Sequence, residues 1–245
     1  MGRHGTIAGR KAAQDSKRAA VFTKYARAII VAAKAGGDPN YNPSLRTAID
    51  KAKGIGMPND NINRAIKRGT GELGGESYEP GRFEGYGAGG VAVIVDVLTD
   101  NRNRTTAAMK HAFDKFGGNL GAPGCVSYMF DKVGMIVIER KPGMDEDEVM
   151  MAALDAGASD IQALEDSFEV TTEVSDFSAV RENLENAGYS FLSAELTMIP
   201  QNTNEITDPD TLAKIQKMLE MLDDLDDVQD VYHNGELPED EEEDD

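Results

Sequence analysis

Apolar residues recur every three or four positions through the first seventy residues, which is the spacing of amphipathic helices. Phe22 and Ile29 belong to the longest of these stripes, and Gly36-Gly37 ends it. Asn42-Pro43 and Pro58 are typical of helix starts further along the chain. The pattern therefore predicts three helices, over residues 10–35, 42–54 and 58–69.

The pattern changes to strands after residues 72–82, whose Gly, Glu and Pro content is typical of a linker. The middle of the chain then has the order βαββαβ, the split arrangement of a ferredoxin-like fold. Its elements are predicted at 135–139, 145–156, 160–165, 167–173, 176–187 and 190–199. The segments on either side form a second set of βαβ type, predicted at 91–98, 103–116, 126–130, 203–207, 209–223 and 228–233.

These elements predict an α+β fold of three domains. A basic three-helix domain occupies residues 1–75, and a discontinuous α/β domain with split βαβ pattern occupies residues 82–133 and 200–234. The ferredoxin-like βαββαβ domain, residues 134–199, is inserted in that second domain. Residues 235–245 hold eight acids and are predicted to be a disordered, solvated tail.

Charge is distributed unevenly along the chain. Residues 1–70 hold 14 Lys and Arg against 4 acids, although the whole chain holds 25 Lys and Arg against 44 acids, a net charge of −19. A chain divided in this way has one part suited to polyanions and another part that repels them. Because most of its cations lie off the apolar stripes, the helical domain is predicted to bind the phosphate backbone of a nucleic acid.

The candidate contacts are cations of these helices together with two arginines at a later strand-to-helix turn. Arg102 and Arg104 stand where the helix dipole disfavours cations, and a phosphate held by the backbone N–H groups would explain them. The predicted nucleic-acid-binding residues are Arg3, Arg10, Lys11, Lys17, Arg18, Lys24, Arg27, Arg64, Lys67, Arg68, Arg102 and Arg104.

Two alternatives stay open at this point. One is that the basic domain docks onto the acidic remainder of the chain, or onto an acidic protein partner, instead of a nucleic acid. The other concerns the nucleic acid itself, because the residue patterns alone do not distinguish duplex DNA from structured RNA or a ribosome surface.

Catalytic and metal-binding patterns are missing from the sequence. A single cysteine, Cys125, and three scattered histidines leave no Cys/His cluster for zinc. Residues 85–90 satisfy G-x-G-x-x-G, but they precede a strand rather than following one, so a turn is predicted there. No apolar run approaches the about 20 residues that a membrane span needs. We therefore expect no enzymatic activity, no cofactor, no metal and no membrane partner.

Several motifs, spread over nearly the whole chain, belong together. They are residues 10–15 (RKAAQD), 49–53 (IDKAK), 57–62 (MPNDNI), 86–87 (YG), 90–92 (GVA), 98–105 (LTDNRNRT), 117–121 (GGNLG), 198–201 (MIPQ) and 227–234 (DVQDVYHN). In these motifs the chain resembles the YebC family of probable transcriptional regulatory proteins, which includes mitochondrial translational activators of the TACO type. The resemblance implies a cytoplasmic bacterial protein with a helical N-terminal domain and two α/β domains.

The resemblance also implies a role in the control of gene expression, in two versions. We expect a non-enzymatic, DNA-binding transcriptional regulator; the alternative is a translation factor that binds the ribosome or its RNA and acts on stalled or proline-rich translation. The chain departs from the family pattern at its start. Members commonly begin with Gly-His-Ser-Lys-Trp, whereas residues 2–7 are GRHGTI and the chain has no Trp, so contacts of that segment are not carried over.

Overall fold

The computed structural model describes residues 21–74 and 77–237. The predicted beginning of the first helix lies outside these residues, and so does the predicted acidic tail from residue 238 onward. The first residues of that tail are described, and the prediction that they are disordered is wrong, because Gly235–Glu236 form a strand. Within the described residues, the chain forms two compact units, one built from the residues before Tyr128 and after Asn202, and the other from Tyr128–Asn202. The predicted fold class is confirmed, with a helical N-terminal part followed by α/β parts that contain antiparallel sheets.

Three helices form the N-terminal part of the first unit: α1 (residues 21–33), α2 (Pro43–Gly54) and α3 (Asn59–Gly69). Asn42 begins α2, because its side-chain oxygen accepts a hydrogen bond from the Leu45 N–H at 3.1 Å. Its amide nitrogen donates at 2.8 Å to the carbonyl oxygens of Ala32 and Gly36. One side chain thus joins the end of α1 to the start of α2. The helices share one core, formed by Ile29, Ile30, Ala33, Leu45, Ala48, Ile49, Ala52, Met57, Ile62 and Ala65.

The end of α3 packs so closely against α1 that no space is left for a side chain at Gly69. A Cβ atom placed on Gly69 would lie 2.4 Å from the carbonyl oxygen of Ile30 and 2.6 Å from Cβ of Ala33. No residue with a side chain fits there unless the helices move apart. Gly69 therefore determines how closely α1 and α3 pack.

The α/β part of the first unit is a four-stranded sheet covered by two helices. Its strands lie in the order β3-β1-β2-β9, and each neighbouring pair is antiparallel. The elements are β1 (Glu79–Tyr86), β2 (Ala92–Thr99), α4 (Arg102–Lys115), β3 (Asn119–Leu120), α7 (Pro209–Asp223) and β9 (Val228–His233). β2 is the most deeply buried strand, with Val93, Val95 and Val97 packed against Phe113 and Met218 in one core. Two short parallel strands, β8 (Asn204–Glu205) and β10 (Gly235–Glu236), complete this part.

The second unit has the ferredoxin-like arrangement. Its strands lie in the order β5-β6-β4-β7, again with every neighbouring pair antiparallel, and its two helices α5 and α6 contribute to one core with the sheet. The elements are β4 (Phe130–Glu139), α5 (Glu146–Ala156), β5 (Asp160–Ala163), β6 (Ser167–Thr172), α6 (Phe177–Asn186) and β7 (Phe191–Pro200). The observed order places the first strand between the third and the fourth, as the split βαβ pattern requires.

Among the differences from the predicted strands, two have a clear physical reason. β1 was not predicted, because its segment contains Gly, Pro and Glu and is typical of a linker. A strand was predicted at 126–130, but Ser127–Met129 is a 3₁₀ turn and Phe130 begins β4. The reason is the carboxylate of Glu84, which accepts backbone N–H groups from Gly124, Val126 and Ser127 at 2.9, 3.1 and 2.9 Å. These N–H groups therefore bond to a side chain and not to a neighbouring strand.

We expect the Gly69→Ala substitution to destabilise the N-terminal helices by about 1–3 kcal/mol, since the added methyl group overpacks the α1–α3 contact. Gly54→Ala is the matched control, because Gly54 also ends a helix and a Cβ there meets no atom within 4 Å. The control should be neutral or stabilising by up to about 1 kcal/mol. Urea unfolding followed by circular dichroism measures both variants, and equal effects would contradict the role of Gly69.

Candidate nucleic-acid interface

The predicted nucleic-acid-binding residues fall into three groups in the structure. Some lie outside the described residues and remain predictions: Arg3, Arg10, Lys11, Lys17 and Arg18. A second group, Lys24, Arg27 and Arg104, forms ion pairs with carboxylates of the same chain. The third group, Arg64, Lys67 and Arg68, lies on α3, and Arg102 is exposed at the start of α4.

Arg27 does not form part of an exposed basic surface, because its residue is only 9% exposed. Its guanidinium forms an ion pair with the carboxylate of Asp227 and donates a hydrogen bond to the Leu98 carbonyl oxygen at 3.2 Å. The same group lies over the ring of Tyr78, 4.9 Å from its centroid. Arg27 therefore docks α1 onto the α/β part, and its predicted contact with a nucleic acid stays a prediction that this burial does not favour.

Lys24 lies one turn before Arg27 and has a similar role. Its ammonium group lies 2.8 Å from Asp223 Oδ1, at the end of α7, and its side chain is 19% exposed. The backbone carbonyl of Lys24 also accepts a hydrogen bond from the Gln229 side chain at 3.3 Å. For Lys24 and Arg27, the structure thus shows the docking that the sequence left open as an alternative.

The carboxylate of Asp227 is the centre of this contact. Arg104 Nη2 lies 2.9 Å from both of its oxygens, and the Thr105 hydroxyl donates to Oδ2 at 2.7 Å. Burial by itself would raise the pKa of Asp227, but the hydrogen bonds from Thr105, Arg104 and Arg27 outweigh it and hold the pKa below its ordinary value. Asp227 is therefore an ionised, buried anion that organises three segments of the chain.

At the start of α4, one of the two arginines predicted to hold a phosphate is paired with carboxylates of the protein. Asn101 caps the helix by accepting the Arg104 N–H at 3.0 Å, and the Arg104 guanidinium also lies 2.8 Å from Asp100. Hydrogen bonds from Arg104 to Asp227 and then to Asp100 raise the pKa of the arginine. An anion does explain the position of Arg104, but the anions in the structure are the carboxylates of Asp100 and Asp227.

Cations on α3 have different surroundings. Ile62 and Ala65 face the helical core, whereas Arg64 and Lys67 are exposed and form no ion pair with a carboxylate in the part of the chain that the structure describes. Lys67 and Arg68 lie in the last turn, where the helix dipole stabilises cations. On this outward face of α3, the charges of Arg64 and Lys67 are thus not matched by a carboxylate among the described residues.

A groove of about 300 Å³ borders the same helix. It lies between α1 and α3, and Phe22, Ile30 and Met57 give it apolar walls, while Arg64 and Arg68 supply its cations. Sequence reasoning missed the groove, because it depends on the distance between two helices. The sequence indicated only that Phe22 and Arg64 belong to helices of the same small domain.

Other kinds of site find little support. Burial, and then the charge of Glu84, raise the pKa of the Cys125 thiol, which is the opposite of what an activated nucleophile needs. Within residues 21–74 and 77–237, no group of three or more His, Cys, Asp or Glu could hold a metal ion. None of the helices described there is long and apolar enough to cross a membrane.

Comparison with known proteins adds the family. A family model for the TACO1/YebC second and third domain matches residues 78–235, and one for the TACO1/YebC protein N-terminal domain matches residues 3–72. The chain belongs to the TACO1/YebC family. The predicted family resemblance is thereby confirmed.

Relatives of this TACO1/YebC chain match over nearly their whole length. A probable transcriptional regulatory protein of Clostridioides difficile is 55% identical over 97% of this chain and 100% of its own. One from Listeria monocytogenes is 53% identical over 94% of this chain and 96% of its own. The crystal structure of a conserved hypothetical protein from Aquifex aeolicus has a TM-score of 0.81 at 47% identity, covering 92% of this chain and 93% of that one.

We expect Asp227→Asn to destabilise the protein by about 3–5 kcal/mol, because it leaves the buried Arg27 without its counter-charge. Asp224→Asn removes the same charge three residues earlier at an exposed position and should change stability by less than about 0.5 kcal/mol. Urea unfolding of both variants tests the difference. A loss of similar size in the two variants would show that net charge matters here and that the buried pair does not.

The lowered pKa of Asp227 also predicts a pH dependence. Since the folded-state pKa is lower than the unfolded one, the stabilisation is complete above the ordinary aspartate pKa of about 3.9 and is lost as pH falls through the folded value. The melting temperature should therefore fall steeply below about pH 4, and Asp227→Asn should fall less steeply. The pKa of Glu84 is also lowered, so Glu84 adds a loss of stability at low pH that is the same in the wild type and in the variant. Parallel curves for wild type and variant would exclude Asp227 as the titrating group.

Proposed function

We propose that this chain is a non-enzymatic regulator of gene expression that binds nucleic acid through the outward face of α3. The observation that carries the proposal is the division of the cations. Lys24, Arg27 and Arg104 are paired with carboxylates, whereas Arg64 and Lys67 have no carboxylate partner among the described residues. Exposed cations on one helix suit a phosphate backbone, which is contacted without regard to base sequence.

DNA is the partner that the names of the relatives favour, because they are called probable transcriptional regulatory proteins. In this version the protein acts in the cytoplasm, and α3 lies along the backbone of the duplex. Arg102 and the cations of residues 3–18 are proposed as further phosphate contacts. The acidic α/β parts repel the nucleic acid and thereby orient the α3 face, or they meet a protein partner.

The alternative version is a translation factor that binds the ribosome or its RNA and acts on stalled or proline-rich translation. One observation favours RNA: the groove beside Arg64 and Arg68 has apolar walls, and such a groove suits an unpaired base. Crosslinking in cells, followed by sequencing of the bound nucleic acid, distinguishes the two versions. Ribosomal RNA as the main species would favour the translational version, and specific DNA fragments would favour the transcriptional one.

We expect Arg64→Ala combined with Lys67→Ala to weaken binding to a DNA duplex and to reduce the salt dependence of binding. Each lost phosphate contact lowers the slope of log K against log salt by about one unit, so the double variant should lose about two units. Fluorescence anisotropy at several salt concentrations measures both quantities.

The matched control is Lys132→Ala combined with Lys141→Ala, which removes the same charge from exposed positions of the second unit. Its slope should stay unchanged, since these lysines are not proposed to contact phosphates. An unchanged slope in the α3 variant would remove α3 from the interface. Equal losses in both variants would show that overall charge, and not contact at α3, determines binding.

A further inference from the structure

The groove between α1 and α3 combines features that a duplex backbone does not require. Its volume of about 300 Å³ is at the lower end of the range for small-ligand sites, about 300–1,000 Å³. Phe22, Ile30 and Met57 contribute its apolar surface. The groove is therefore suited to a compact, partly apolar group.

The polar residues of the groove have the chemistry that a nucleotide needs. Arg64 and Arg68 stand one helical turn apart on α3, so their guanidinium groups belong to the same side of the helix. Asn61 lies one turn before Arg64 and offers both a donor and an acceptor, as the edge of a base does. The described lining contains no acid, so its charge complements an anion.

We propose that the α1–α3 groove binds one unpaired nucleotide, with its base against Phe22 and its phosphate on Arg64 and Arg68. A base inside a duplex is stacked on both faces and cannot enter a groove of this size, whereas a base of a single strand, loop or end can. Aromatic side chains stack on any base, so the groove selects for an unpaired base and not for a sequence. This inference rests on the proposed function, and within it the inference favours a nucleic acid with unpaired nucleotides over a regular duplex.

The experiment uses the full chain and removes the base from the ligand, so that the first arm needs no protein variant. Two short single strands of equal length are compared by anisotropy, one of normal nucleotides and one with its bases removed and its phosphates intact. Loss of the stacked base should weaken binding about 5- to 150-fold, since stacking on an aromatic residue has that value when converted to affinity.

A protein variant then tests whether the base stacks on Phe22. In Phe22→Ala the difference between the two strands should largely disappear, because the stacking partner is gone. Tyr41→Ala is the matched control: Tyr41 belongs to the same helical domain but is 88% exposed, and it does not line the groove. It should keep the full difference, and thermal melts confirm that both variants are folded.

The outcomes separate this inference from the proposed function. Equal affinity for the two strands in the wild-type protein would overturn the nucleotide groove while leaving backbone binding intact. No affinity for either strand or for a duplex at low salt would overturn the proposed function itself. Binding of an acidic peptide with an aromatic residue, without any preference for strands that carry bases, would reassign the groove to a protein partner.

Discussion

The ion pair between Arg27 and Asp227 is the interaction on which the arrangement of the first unit depends. Both side chains are removed from water, and charges in such surroundings are tolerated only when their hydrogen-bonding capacity is used. Asp227 meets this condition with donors from α1 (Arg27) and from the start of α4 (Arg104 and Thr105). The helical domain is thus held to the α/β part by a polar contact whose geometry is specified by several partners, in addition to apolar packing.

This contact changes the meaning of the charge asymmetry. Basic N-terminal helices and acidic α/β segments attract each other within the chain, and part of the excess charge is used for that attraction at Lys24 and Arg27. The remaining described cations of interest, on α3, keep their charge directed outward. Docking and the proposed nucleic-acid binding therefore use the same residue types on different helices, and composition alone cannot separate them.

The fold was largely predictable because its helices and strands are long enough to show their periods. The βαββαβ order of the second unit and the position of α7 followed from the hydrophobic pattern alone. What could not be predicted depends on contacts distant in sequence. Glu84 binds N–H groups about forty residues further on, and Arg27 meets its partner 200 residues later. No local pattern records which acid, among 44, will stand opposite a given arginine.

The separation of Arg27 from Asp227 has a consequence for the order in which the protein folds during its synthesis. The second unit, Tyr128–Asn202, lies between them in the chain, so the helical domain and the second unit are both made before Asp227 leaves the ribosome. At about 5–20 residues per second, the 200 intervening residues take roughly 10–40 s. For that interval Arg27 has no counter-charge, and β2, once it is made, has no β9 beside it. The nascent chain thus carries an unpaired cation, Arg27, which is buried and paired in the finished protein.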